Sequence, residues 1–86
     1  PSTARVAVLG DGKLGILCAW ALRTRFERVV LVGKHPEKLA IAGDSVATRP
    51  VDQAEGDARR CDVVVDATGS PSGLPLALRM VRPLGT

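Results

Sequence analysis

Residues 6–15 read Val6-Ala7-Val8-Leu9-Gly10-Asp11-Gly12-Lys13-Leu14-Gly15, an apolar run that breaks into three glycines spaced G-x-G-x-x-G. A short continuous apolar stretch closed by a turn signal fits a strand buried on both faces of a parallel sheet. From Lys13 to Arg25 the period changes. Leu14, Leu17, Cys18, Ala21 and Leu22 recur at three- and four-residue spacing, which predicts an amphipathic helix with that stripe laid on the sheet. Ile16 and Trp20 fall beside the stripe, facing either the core or a neighbouring element. A glycine turn between a buried strand and a helix N-terminus has the make-up of a nucleotide-pyrophosphate cradle. In that reading Gly10 permits the tight turn, Gly12 lets the backbone approach the anion, and Gly15 lets the helix pack closely on the sheet. The anion then rests on N–H groups of the first helical turn.

Working outward, residues 29–32 form a second apolar strand, and Gly33-Lys34-His35 make a turn before Pro36 opens a helix that runs to about Ala42. Proline suits a first helical position and Gly43 suits a stop. Residues 45–48 predict a short third strand closed by Pro50. Residues 52–59 predict a weak helix, capped by Asp52 and interrupted by Gly56. Residues 63–67 are the strongest remaining strand, and residues 74–81 a last helix. Pro75 must stand in its first turn, which places the onset near Ser72 or Gly73. Four strand-helix alternations define an α/β chain, a partial Rossmann fold whose parallel sheet of about four strands takes the order 3-2-1-4 with flanking helices. The fourth strand is then an edge, and Val63, Val64 and Val65 on it predict self-association of the chain.

The 86 residues suit one small domain, and 45% hydrophobic content with a mean hydropathy of +0.13 predicts a packed core. The chain begins at Pro1 without a methionine and stops at Leu84-Gly85-Thr86, where a further strand is due, so a piece of a longer protein is expected. No apolar stretch reaches the ~18 residues of a membrane span, no signal-peptide pattern is visible, and a cytoplasmic location is expected. Cys18 and Cys61 lack C-x-x-C spacing and read as buried thiols of a reducing compartment rather than metal ligands. Trp20 and Phe26 are the only aromatic residues, too few for base stacking. The net charge of +3 comes from scattered cations: Arg23, Arg25 and Arg28 surround a helix end, where they complement its dipole, and Arg59 and Arg60 precede a strand. Neither group forms a nucleic-acid patch.

The run from Val6 to Leu39, ending Gly33-Lys34-His35-Pro36-Glu37-Lys38-Leu39, resembles the cofactor-binding domain of the medium-chain dehydrogenases, the zinc alcohol dehydrogenase-like superfamily. Asp62-Val63-Val64-Val65-Asp66-Ala67-Thr68-Gly69-Ser70 and Leu76-Ala77-Leu78-Arg79-Met80-Val81-Arg82-Pro83-Leu84-Gly85 resemble it too, and the first of these is the more discriminating segment. The resemblance implies an NAD(P)-dependent oxidoreductase acting on an alcohol, polyol or aldehyde. It further implies that residues 1–86 are a truncated dinucleotide-binding domain, inactive alone, with the catalytic and substrate domain, and any zinc, outside this chain. It places Gly10, Gly12, Lys13 and Leu14 at the pyrophosphate, Lys13 and Leu14 chiefly through backbone N–H groups, with Gly15 completing the cofactor-binding turn. It places Gly33, Lys34 and His35 at the adenosine ribose, and Ala67, Thr68 and Gly69 toward the nicotinamide.

One departure bears on the cofactor. NAD-preferring members carry an acidic residue at the end of the second strand, where this chain has Gly33 followed by Lys34 and His35. Without a carboxylate to repel it, a 2′-phosphate can pair with those cations, so NADP(H) is expected, with NAD as the alternative. Asp11 beside a phosphate site is expected to point to solvent. Lys38 reads as a solvated helix face, and Asp62 and Asp66 as strand-end carboxylates that accept from backbone donors rather than as acid-base catalysts. Two other classes stay open: a stand-alone nucleotide-sensing or interaction module, and a methyltransferase for an adenosylated methionine. Gly33 speaks against the methyltransferase, which wants an acid after the second strand.

Overall fold

The computed structural model describes residues 2–43, 46–53, 60–69, 73–82 and 85–86. Among the described residues, four strands, β1 (Ser2–Leu9), β2 (Phe26–Gly33), β3 (Ala47–Pro50) and β4 (Val63–Asp66), and three helices, α1 (Lys13–Arg23), α2 (Pro36–Ala42) and α3 (Gly73–Met80), follow in the order β1-α1-β2-α2-β3-β4-α3. The strands form one parallel sheet in the order β3-β2-β1-β4. The expected class, strand order and flanking helices are therefore found.

The pleat explains why β1 reads as continuously apolar. Val6 and Val8 face one side, joining Val29 and Leu31 of β2, Ile16 and Ala19 of α1, and Leu39 and Ala42 of α2. Ala7 and Leu9 face the other side with Val32, Cys61, and Leu76 and Met80 of α3. A strand with both faces covered has no position left for a polar residue. Where coverage ends, charge returns: β2 begins three residues earlier than its apolar run, at Phe26, because Phe26 and Arg28 are in register with Ser2 and Arg5 of β1 although Glu27 and Arg28 are exposed. β3 lies two residues later than the expected 45–48 and includes Pro50. It is an edge strand with three exposed positions, the setting in which a strand tolerates proline. Of the helix expected over 52–59, residues 52 and 53 belong to a single tight turn over 51–53, and 54–59 lie outside the described residues.

The helical stripe requires correction. Gly15, Ile16 and Ala19 are the buried residues of α1, whereas Leu14 is 63% exposed, Leu17 49%, and Ala21 also faces solvent. Cys18 and Leu22 are partly buried at the border of the core. The glycine sets this phase. A Cβ on Gly15 would collide with the Gly10 carbonyl, so this position must turn onto the strand end. Ile16, Ala19 and Leu22 then follow it onto the sheet by helical geometry. Cys61 is buried as expected, but Cys18 is only half-buried, and neither is in a disulfide.

At the β4 edge, the Thr86 N–H donates to the Asp62 carbonyl (2.8 Å) and the Val64 N–H to the Thr86 carbonyl (2.6 Å), so the first half of that edge is already paired. Among the described residues, no helix is long and apolar enough to cross a membrane, and no group of three or more metal-ligating side chains could hold an ion.

Candidate functional site

The loops that leave β1, β2 and β4 converge at their carboxyl ends, where open parallel sheets place their ligands. Leu9 pairs with Val32 on one side and Asp66 on the other, so all three strands end at one level. Above that level lies a cleft of about 290 Å³. Its floor is Gly10, Asp11 and Gly12; one wall is Gly33, Lys34, His35 and Lys38; the opposite wall is Ala67, Thr68, Gly73 and Leu76.

The floor is built from backbone. Gly10 has φ +113°, a conformation that side chains resist, and its N–H donates to the Val32 carbonyl at 2.8 Å. A Cβ on it would stand 2.8 Å from the Ala67 carbonyl oxygen, so the turn and the end of β4 meet over this residue. Gly12 is different: it caps α1 in an extended conformation, and its Cβ direction opens into free space. No side chain caps the helix, and the first intrahelical bond is donated by Ile16 to the Gly12 carbonyl (3.0 Å). The N–H groups of Lys13, Leu14 and Gly15 precede that bond and form the positive end of the helix.

On the β2 side the structure overturns one expectation. Asp11 is 6% exposed rather than solvent-facing. Its Oδ2 accepts the His35 N–H at 2.6 Å, and the His35 ring Nδ1 lies 3.2 Å from Oδ1 and 3.3 Å from Oδ2. A carboxylate only accepts, which assigns the proton to Nδ1. Burial pushes the Asp11 carboxyl upward, but the bonds from the His35 backbone and ring outweigh it and hold the group below its ordinary value. The carboxylate fills the space beside Gly33: a Cβ there would lie 2.5 Å from Asp11 Cγ and collide with Oδ2. His35 also opens α2, its carbonyl accepting from Lys38 and Leu39 N–H groups at 3.0 Å each.

On the β4 side Asp66 arrests the chain. Its Oδ1 accepts the Thr68 hydroxyl at 2.7 Å and the Thr68 N–H at 3.0 Å, and these bonds hold its carboxyl below the ordinary value. Gly73 follows from this geometry, because a Cβ there would collide with the Thr68 hydroxyl and the Asp66 carboxylate. Asp62 accepts the Arg5 N–H at 2.8 Å and pairs with the Arg82 guanidinium, and both lower its carboxyl. Asp62 and Asp66 thus serve backbone donors, as their strand-end positions predict.

Of the residues singled out in the sequence, Gly10, Gly12, Gly33, Lys34, His35, Ala67 and Thr68 line the one cleft. Lys13 and Leu14 lie on the exposed first turn of α1, Gly15 is buried against Gly10, and Gly69 is exposed at φ +64°. Asp11, Lys38, Val51, Gly73 and Leu76 were not among the sequence candidates, although all line the cleft. Asp11 had a readable signal, a glycine at the end of the neighbouring strand β2, at the position its side chain would crowd; Val51 follows directly on β3, at its carboxyl end.

Sheet order, glycine turn and carboxyl-end cleft define half of a doubly wound, Rossmann-like α/β fold. No family model matches the chain. Its fold recurs in the crystal structure of L-idonate 5-dehydrogenase from Escherichia coli K-12, with a TM-score of 0.83 and 23% identity. That match covers 98% of this chain and 27% of the dehydrogenase, so the chain spans about a quarter of the length of the protein it resembles.

Proposed function

We propose that the chain is the dinucleotide-binding portion of a nicotinamide-dependent oxidoreductase of the medium-chain, alcohol dehydrogenase-like kind. The carrying observation is the convergence of three strand ends on one cleft whose floor is a glycine turn with a positive helix end beside it. Gly10 and Gly12 leave room for a pyrophosphate, and the N–H groups of Lys13 and Leu14 bind its oxygens. Lys34 and His35 take the adenosine ribose, while Ala67, Thr68 and Gly69 stand toward the nicotinamide. Gly15 acts indirectly, by seating the helix. The bound dinucleotide supplies hydride exchange; substrate, any zinc and proton transfer belong to segments outside these residues. The likeness to a dehydrogenase supports this reading through the fold.

NADP(H) is the favoured form and NAD(H) the alternative, because Lys34 and Lys38 are exposed cations along one wall of the cleft, with the His35 ring between them in the chain. Self-association through the part of the β4 edge beyond Thr86, in a cytoplasmic setting, completes the proposal. Fluorescence titration of the chain with NADPH and NADH tests the central claim. Binding of both, tighter for NADPH, is expected. Equal affinities overturn the phosphate preference, and no binding of either overturns the function.

A further inference from the structure

Gly33 lacks a side chain at the position where a ribose-binding acid is usual, yet its backbone is not in the left-handed region. What excludes a side chain there is Asp11, whose Cγ would stand 2.5 Å from any Cβ at position 33. We propose that Asp11 is the specificity-determining residue for the adenosine ribose, its carboxylate reaching the end of β2 from the glycine turn instead of from β2 itself.

This rests on the dinucleotide-binding reading above and extends it. Asp11 lines the cleft between the turn and Lys34. It is fixed there by the His35 N–H on Oδ2 and the His35 ring on both oxygens. A carboxylate offers about four acceptor positions, so capacity remains for ribose hydroxyls. The bonds from His35 also keep the group ionised, and a fixed negative charge repels a 2′-phosphate. Lys34 and Lys38 pull the opposite way from the same wall. Asp11 therefore narrows the preference for the phosphorylated cofactor and lets the chain hold both forms.

Asp11→Asn keeps an acceptor for the His35 N–H and removes the charge. The ratio of NADPH to NADH affinity, measured by fluorescence titration, is expected to rise about tenfold, the size of one unit charge across a partly solvated gap. A purely structural Asp11 would change both affinities alike. A ratio within twofold of the unsubstituted chain overturns the proposal while leaving dinucleotide binding intact. Failure of the unsubstituted chain to bind either cofactor overturns the underlying reading and this one together. The exchange Asp11→Gly with Gly33→Asp moves the carboxylate back to β2. It is expected to melt as a folded protein and to return the ratio toward the starting value. Gly33→Asp alone is expected to unfold at lower temperature than the exchange, and an exchange no more stable than that single substitution also overturns the proposal.

Discussion

Replacing Gly15 with alanine separates helix propensity from tertiary fit, because the two predict opposite signs. In an exposed helix interior the change stabilises by about 1 kcal/mol. Here the new Cβ would sit 2.7 Å from the Gly10 carbonyl carbon and closer still to its oxygen, and both belong to backbone that the Ala67 carbonyl holds from the other side. The helix must retreat by on the order of 1 Å, and overpacking of that kind costs ~1–3 kcal/mol. Retreat also loosens Ile16 and Ala19 from the sheet, which removes on the order of 1–2 kcal/mol of apolar burial. After the propensity gain, a net destabilisation of about 2 kcal/mol remains, or a fall in Tm of roughly 8–16 °C for a chain of this size. Thermal melts followed by circular dichroism at 222 nm measure it, with Gly12→Ala as the control. Gly12 is extended and faces open space, so its substitution should cost less than about 1 kcal/mol of stability. On the proposed function, the same control should weaken NADPH binding at least tenfold, since the methyl group would enter the space assigned to the pyrophosphate. A Gly15→Ala chain that melts at or above the temperature of the unsubstituted one would refute the close-approach argument.

The helix phase yields a second comparison. Ile16→Ala, at a buried position, should destabilise by ~2–4 kcal/mol, whereas Leu17→Gln, at an exposed one, should stay within about 0.5 kcal/mol in urea denaturation. Equal losses would mean that the leucine stripe faces the sheet after all. Acid titration gives a third: the folded Asp11 carboxyl titrates below its unfolded value, so its contribution is complete above about pH 4 and drains as pH falls through the folded value. Stability measured from pH 6 to pH 2 should accordingly fall more steeply for the unsubstituted chain than for Asp11→Asn, and parallel curves would contradict the hydrogen bonding assigned to His35.

How far the sequence could be read depended on the kind of contact involved. Hydrophobic periodicity found β1, β4, α2 and α3 to within two residues at each end, because burial on one or both faces leaves a direct trace in composition. It failed on α1, where a stripe headed by Leu14 and Leu17 suggested one face and a single glycine imposed another. Backbone-to-backbone approach, as between Gly15 and Gly10, leaves no hydrophobic trace; only the glycine hints at it. Asp11 was misread for a related reason. Charge and turn position suggested solvent, and the pairing that buries it comes from His35, 24 residues away. The start of β2 was hidden because Phe26 and Arg28 are in register with β1 through backbone while the Glu27 and Arg28 side chains stay in water. The cleft itself was legible because strand ends and glycine turns are sequence features, and its missed members besides Asp11 are those that enter from α2, α3 and the segment after β3.

The meeting of Gly10, Gly15 and Ala67 has a consequence for how a ligand would be received. Three chain segments touch there with no side chain between them, so that part of the floor is set by backbone alone, and the Asp11 side chain beside it is held by His35. A ligand arriving on it would find its anion contacts already in place, and the ordering cost that a flexible loop imposes on affinity would be small. Adjustment would fall instead to the long side chains of Lys34 and Lys38 at the rim. Association should then proceed without a slow conformational phase, with salt acting mainly on the encounter.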